Sequence, residues 1–372
     1  MKKIVHFSSV HQRYDIRIFL KECVTLAQHG YDVTFVVADG LGNEVKQGVN
    51  IIDAGKPAGN RLARMFFSTK KVYRMASNLR ADIYHFHDPE LIHIGLKIKS
   101  KFPGSKVIFD SHENYADDIS EKPYIPKYFR ALIAAAYKYY EKKSIRKLDG
   151  IIAATPSINH HFCNAGAKSI DINNYPFVDE LNFNSIEQHS KQYDIIYIGA
   201  ISEIRGVSFL VDACALGSQK SMAIAGTFAN KAIEEKLKTS MGWSCVDYFG
   251  QVNRETIAKL LSQSRVAAVT FLPAPNHIES QPNKMFEYMS AGLPIVASNF
   301  PLWKEIIEDN NCGICVNPES AKDISQALEQ LLSNPNLMLE MGKNARQAVI
   351  EKYNWSSESN KLLKFYQSIL AE

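Results

Sequence analysis

The stretch IESQPNKMFEYMSAGLPIVAS, Ile278 to Ser298, carries two glutamates, Glu279 and Glu287, with seven residues between them. Its plain reading is a helix followed by a strand. Pro282 suits the first helical turn, where its missing N–H costs nothing, and Gly292 suits the position just past the helix end. Met285, Phe286 and Met289 give one apolar face, and Leu293 to Ala297 reads as a buried strand. On that reading Glu287 is a solvated surface charge. A chemical reading starts from the same helix. Near Pro282 and Asn283 it presents free N–H groups and the positive end of its dipole, a site for an anion. Glu279 lies just before that start, and Glu287 lies ~8 Å along the axis from Pro282, at 1.5 Å per residue. The two carboxylates would then flank the anion as hydrogen-bond acceptors.

Other polar clusters follow short apolar runs. Ile4–Ser8, Asp32–Ala38, Ile83–His87, Lys106–Asp110 and Gly150–Ala154 read as strands, with helices near 16–29, 60–80, 89–101, 125–147 and 156–164. A second series has strands at Tyr193–Gly199, Met222–Ala225, Val246–Phe249, Val266–Thr270, Ile295–Ser298 and Gly313–Val316, each followed by a helical pattern. Such alternation predicts α/β architecture with parallel sheets covered by helices. Two series predict two Rossmann-like, doubly wound domains facing a central cleft: residues 1–180 and 181–350, joined by a polar linker at Asp179–Gln192. The segment 351–372, amphipathic over Trp355–Leu370, is expected to pack across both. Ligands of such sheets sit at the carboxyl ends of the strands. There the sequence places Ser9–Asp15, His85–Asp88, Asp110–Glu113, Gly199–Gly206, Gly226-Thr227, Gly250-Gln251 and Glu279–Lys284.

The totals narrow the function. A chain of 372 residues with 46% hydrophobic and 22% charged residues is globular and exceeds one ordinary core. No window holds the ~18 apolar residues of a membrane span, and the apolar start is interrupted by His6, Ser8, Ser9 and His11, so a cytoplasmic location is expected. Neither half has a G-x-G-x-x-G after its first strand, a P-loop or an Asp-x-Asp, which excludes the usual dinucleotide and metal-nucleotide motifs. Cys312 and Cys315 form a lone C-x-x-C running into a strand and read as buried reduced thiols. Residues 1–180 hold 26 Lys and Arg against 19 Asp and Glu. The excess is concentrated in Gly55–Ala81, with seven basic residues and no acid, and in Lys122–Lys147, with eight against one. Phe66, Phe67, Tyr128, Phe129, Leu132 and Ile133 among those charges point to a peripheral membrane face, the alternative being solvated helix faces. No recognition motif accompanies the basic stretches, so nucleic acid is not expected.

With these residues assembled, the whole chain resembles glycosyltransferases of family 4, which have the GT-B fold. The Glu279–Glu287 spacing followed by EYMSAGLPIVAS carries the resemblance, and HFHD and FDSHE resemble cleft-lining segments of that family. It implies transfer of a sugar from a UDP- or GDP-linked donor, with retention, no required metal and no cofactor. Glu279 then matches the glutamate at the transferred sugar, Glu287 the one on the ribose hydroxyls, and His112 the histidine at the reacting centre. Arg205 falls where a diphosphate-binding lysine is usual. The arginine that usually follows the strand glycine, here Gly199, is replaced by Ala200, and Lys284 is the candidate substitute. Asn283 completes the expected donor site. Asp15, Arg17, His87 and Asp88 are expected to line the acceptor side, although Asp15 and Arg17 also read as a local ion pair, and Asp88 as a helix cap. His85 and His87 share one strand face and read equally as core, weak metal ligands or cleft lining. The implied activity is a hexosyltransferase of bacterial surface polysaccharide synthesis, acting on a glycan or lipid-linked acceptor at the inner face of the cytoplasmic membrane. A nucleotide-sugar epimerase and an inactive sugar-nucleotide-binding subunit are the rival readings.

Overall fold

The computed structural model describes residues 1–57, 59, 64–113, 115, 119, 126–178 and 191–372. The chain divides into two compact units, Met1–Asn174 with Ser356–Glu372, and Tyr175–Trp355. The first boundary thus falls at Asn174/Tyr175, and most of the expected linker lies outside the described residues. Residues 356–372 join the first unit. There Phe365 and Ile369 close on the bare backbone of Gly150, and the Glu358 carboxylate accepts from Asn173 N–H at 2.7 Å.

The first unit holds an eight-stranded sheet: β1 (Lys3–Phe7), β2 (Asp32–Val37), β3 (Glu44–Lys46), β4 (Val49–Asp53), β5 (Ile83–Phe86), β6 (Lys106–Ser111), β7 (Gly150–Ala153) and β8 (Ser169–Asp171), in the order β3-β4-β2-β1-β5-β6-β7-β8. All neighbours are parallel except β3 and β4. The buried strands are near-continuous apolar runs, as strands covered on both faces must be. The polar hairpin β3–β4 escapes sequence reading because its turn is Gln47-Gly48. Both residues take positive φ, 50° and 79°, a conformation normally signalled by Asn-Gly.

The second unit holds six parallel strands: β9 (Tyr193–Ile198), β10 (Met222–Ala225), β11 (Val246–Gly250), β12 (Ser264–Val269), β13 (Ile295–Ser298) and β14 (Gly313–Val316), in the order β11-β10-β9-β12-β13-β14. In each sheet the chain order reverses beside its first strand, between β1 and β5 and between β9 and β12. Loops diverge at such a point and leave a crevice at the strand ends. The helix Asn283–Ser290 buries Met285, Phe286, Tyr288 and Met289 in the second core and ends before Gly292, at φ 69°. Burial pushes the Cys312 and Cys315 thiols up to about 12, which keeps both protonated and unreactive. Among the described residues no helix is long and apolar enough to cross a membrane.

Candidate functional site

In the second unit the chain leaves β9 through Gly199, at φ 118°, and a short turn Glu203–Arg205 closed by Gly206, at φ 67°. A Cβ on Gly206 would stand 1.7 Å from the Thr270 carbonyl oxygen, so only glycine lets this loop lie against the end of β12. The loop brings the Arg205 guanidinium to 5.3 Å from the Phe271 ring centroid. Lys284, from the first turn of the helix Asn283–Ser290, enters from the other side and sets Nζ 4.1 Å from the Tyr197 ring centroid. A Cβ on Gly199 would meet Lys284 Nζ at 3.0 Å and Arg205 Nη1 at 3.3 Å. Two cations therefore converge on bare backbone. Burial first, then the Arg205 charge, push the Lys284 amine well below its ordinary value, against the opposing pull of Glu287. The buried amine makes no hydrogen bond. A buried cationic group in that state lacks an anion.

The start of the same helix offers donors for one. Pro282 precedes it and no side chain caps its first N–H groups, those of Asn283 and Lys284. Glu279 follows the short helix Pro275–Ile278. Its loop is held by the Trp303 indole N–H donating to the Ser280 carbonyl at 2.7 Å and the Tyr175 hydroxyl donating to Gln281 Oε1 at 3.2 Å. Glu287 is not a free surface charge: its Oε1 accepts from Arg254 Nη1 at 2.7 Å. Sequence reading missed Arg254, although its position four residues after Gly250 puts it on the rim already singled out.

In the first unit Asp110 is the hub. Its Oδ2 accepts from Arg17 Nε at 3.0 Å, His87 Nδ1 at 3.0 Å and His112 Nε2 at 2.9 Å, and its Oδ1 from Arg17 Nη2 at 2.8 Å. Burial raises the Asp110 carboxyl, but Arg17 and the histidines outweigh it and hold the group well below the carboxylate range. An ionised Asp110 fixes the proton of His112 on Nε2, so in the neutral ring Nδ1 is left as an acceptor. Asp88 does not cap the turn that follows it. Its Oδ2 accepts from Ser8 Oγ at 2.9 Å and Ser9 N–H at 2.6 Å, tying the end of β1 to that of β5. Asp15 caps the helical segment Ile16–Cys23 through Arg17 and Ile18 N–H and meets His11 Nδ1 at 3.2 Å. The expectation that Arg17 and His87 line the acceptor side needs correcting: their side chains are 4% and 0% exposed and committed to Asp110. Asp88, at 4%, is likewise spent on the serines. Of that set Asp15 stays open, beside His11 and His112, whose rings lie 4.9 Å apart. His11 was passed over because a single histidine after a strand carries no spacing signal.

Comparisons with known proteins follow the same division. The family profile described as Glycosyltransferase Family 4 matches residues 19–173, and that described as Glycosyl transferases group 1 matches residues 178–348. The alpha-D-kanosaminyltransferase of Streptomyces kanamyceticus is 27% identical over 180 residues, 47% of this chain and 45% of that protein, so the match spans about half the relative's length. The phosphatidyl-myo-inositol mannosyltransferase of Mycobacterium leprae is 22% identical over 86% of this chain and 84% of its own. Among solved structures, that of HepE from Anabaena with UDP and glucose superposes with a TM-score of 0.74 at 13% identity, over 99% of this chain and 100% of the other, a likeness of fold.

Proposed function

The chain belongs to glycosyltransferase family 4, with the GT-B fold, and we propose that it transfers a hexose, with retention and without a metal, from a nucleotide-sugar to a glycan or lipid-linked acceptor. The observation that carries the reading is the convergence of Lys284 and Arg205 on Gly199 beside an uncapped helix start. A leaving nucleoside diphosphate gathers negative charge. Fixed cations and oriented N–H groups stabilise that charge without reorganising, and Arg205 adds a fork matched to phosphate oxygens. Glu279 serves the hydroxyls of the transferred sugar, Glu287 the ribose, and His112, held by Asp110, the reacting centre. The relative from Anabaena was solved with UDP and glucose, which supports a donor of that kind. Incubation with a panel of UDP- and GDP-sugars tests the proposal. Release of the nucleoside diphosphate, with sugar passed to an added glycan or lipid, is the expected result. Epimerised sugar without transfer would favour the epimerase, and binding without turnover the inactive subunit.

A surface-glycan role at the inner face of the membrane rests on a separate feature. On the helix Lys127–Ile145, Tyr128 is 94% exposed and Leu132 68%, with Phe129 and Ile133 also exposed among Arg130, Lys138, Lys142 and Lys143. Phe66 and Phe67 are exposed near Lys70 and Lys71; Arg61 and Lys122 of the two basic stretches lie outside the described residues. Each basic residue at an anionic bilayer contributes ~1 kcal/mol, screened by salt. The protein should therefore float with anionic vesicles and lose that association as salt rises. Equal recovery with neutral vesicles would remove the membrane from the proposal.

A further inference from the structure

Beneath the Asp110 hub lies a second cluster that glycosyl transfer does not use. His6 of β1, His85 of β5, His87 just beyond β5 and Glu22 of the first helical segment are all buried. One nitrogen from each ring and one Glu22 oxygen lie within 4.8 Å of one another. His6 Nδ1 stands 2.9 Å from His87 Nε2, and Glu22 Oε2 stands 4.0 Å from His6 Nδ1 and 3.9 Å from His85 Nδ1. Of eight buried side-chain atoms without a hydrogen-bond partner among the described residues, three are in this cluster: both Glu22 oxygens and His85 Nε2. Arg17 Nε passes 3.3 Å from Glu22 Oε1 but spends its N–H on Asp110. Leaving a buried carboxyl group without a hydrogen-bond partner is costly.

We propose that His6, His85, His87 and Glu22 are the ligands of a structural divalent transition metal. A tetrahedral ion with bonds of 2.0–2.1 Å needs its ligand atoms roughly 3.3 Å apart. His6 Nδ1 stands 2.9 Å from His87 Nε2 and 4.0 Å from Glu22 Oε2, on either side of that value, and His85 contributes a nitrogen within 4.8 Å of the other ligand atoms. The outer partners are those that orient metal-bound histidines. Asp110 accepts from His87 Nδ1, and the Tyr366 hydroxyl meets His6 Nε2 at 3.2 Å and His85 Nδ1 at 2.6 Å. With the Tyr366 hydroxyl oxygen accepting from both rings, His87 Nε2, His6 Nδ1 and His85 Nε2 are left as lone pairs, and the ion would take two of the three unpartnered atoms, His85 Nε2 and one Glu22 oxygen. Three imidazoles and one carboxylate suit zinc or cobalt, and not magnesium or calcium, which favour oxygen ligands. On this proposal His85 and His87, which read as core, weak metal ligands or cleft lining, serve as metal ligands. The ion would tie β1, the end of β5 and the segment Ile16–Cys23 together next to Asp110, which His87 contacts.

Because the cluster is closed to solvent, metal should be supplied during expression. Full-length protein grown with zinc, then measured by plasma emission, should hold close to one metal per chain, the count for one four-ligand site. Protein grown with cobalt should show the intense visible bands of a four-coordinate ion. His85→Ala should lose the metal. Tyr366→Phe, which keeps the packing, should weaken it roughly 10–100-fold against a chelator. Wild-type protein free of metal after both growths would overturn the proposal and leave a hydrogen-bonded His6–His87 pair with Glu22 a neutral acid. Metal retained at full strength in both variants would do the same. Metal content is read without turnover, so either result is independent of the transfer reaction.

Discussion

Arg205→Ala is expected to lower kcat/KM for the nucleotide-sugar by about 10²–10³, the usual cost of removing one preorganised charge stabiliser. The effect should be large because Arg205 and Lys284 together meet Gly199, and the arginine usual at position 200 is an alanine. Lys284→Ala should cost a similar amount and should change the pH behaviour as well. In the free protein, burial and Arg205 hold the Lys284 amine well below its ordinary value. A diphosphate anion raises it again, so binding takes up a proton, and affinity falls as pH rises from the free-protein value towards that of the complex. Calorimetry of nucleoside diphosphate binding in buffers of different ionisation enthalpy reads that proton directly. Uptake should vanish in Lys284→Ala and persist in Arg205→Ala at most altered in pH range. Wild-type turnover in Arg205→Ala would put the diphosphate elsewhere.

The convergence behind this prediction was legible only in part. Strand ends, the glycine after β9 and the helix start at Asn283 follow from pattern, because buried parallel strands and helix boundaries leave strong local signals. That Lys284 would reach Gly199, 85 positions earlier in the sequence, depends on β9 and β12 being neighbours, a tertiary fact with no periodicity to reveal it. The same limit explains the first unit. His87 and Asp88 follow β5 and Arg17 lies on the first helical segment, yet all three read as ligands of an acceptor. Chain position gives the rim but not the depth, and packing turns these side chains inward to Asp110 and the serines. Edge elements were missed for a different reason. β3 and β8 have three residues each, too few for alternation to be counted.

Glu279 and Glu287 should fail in different ways if one nucleotide-sugar lies across the start of the helix Asn283–Ser290. Glu287→Ala should chiefly weaken the free nucleoside diphosphate, by roughly 1.5–3 kcal/mol, the range for hydrogen bonds to a charged group and about tenfold or more in affinity. The ion pair with Arg254 makes a control necessary. Removing Glu287 also takes one carboxylate away from the Arg254 guanidinium, and a less neutralised cation near the diphosphate would attract it, masking part of the loss. Arg254→Ala leaves Glu287 free to accept from the ribose, so it should weaken the nucleotide less than Glu287→Ala does. Equal losses would mean that Glu287 serves only to hold Arg254. Glu279→Ala should behave otherwise. Its loop is pinned by Trp303 and Tyr175 whether or not the carboxylate is present, so nucleotide binding should stay near wild type. Turnover with the intact donor should fall by roughly 10², because the carboxylate acts where charge develops on the sugar. A higher KM with unchanged kcat would assign Glu279 to ground-state binding instead. If both glutamate variants bind and turn over like wild type, the stretch from Ile278 to Ser298 is an ordinary helix and strand.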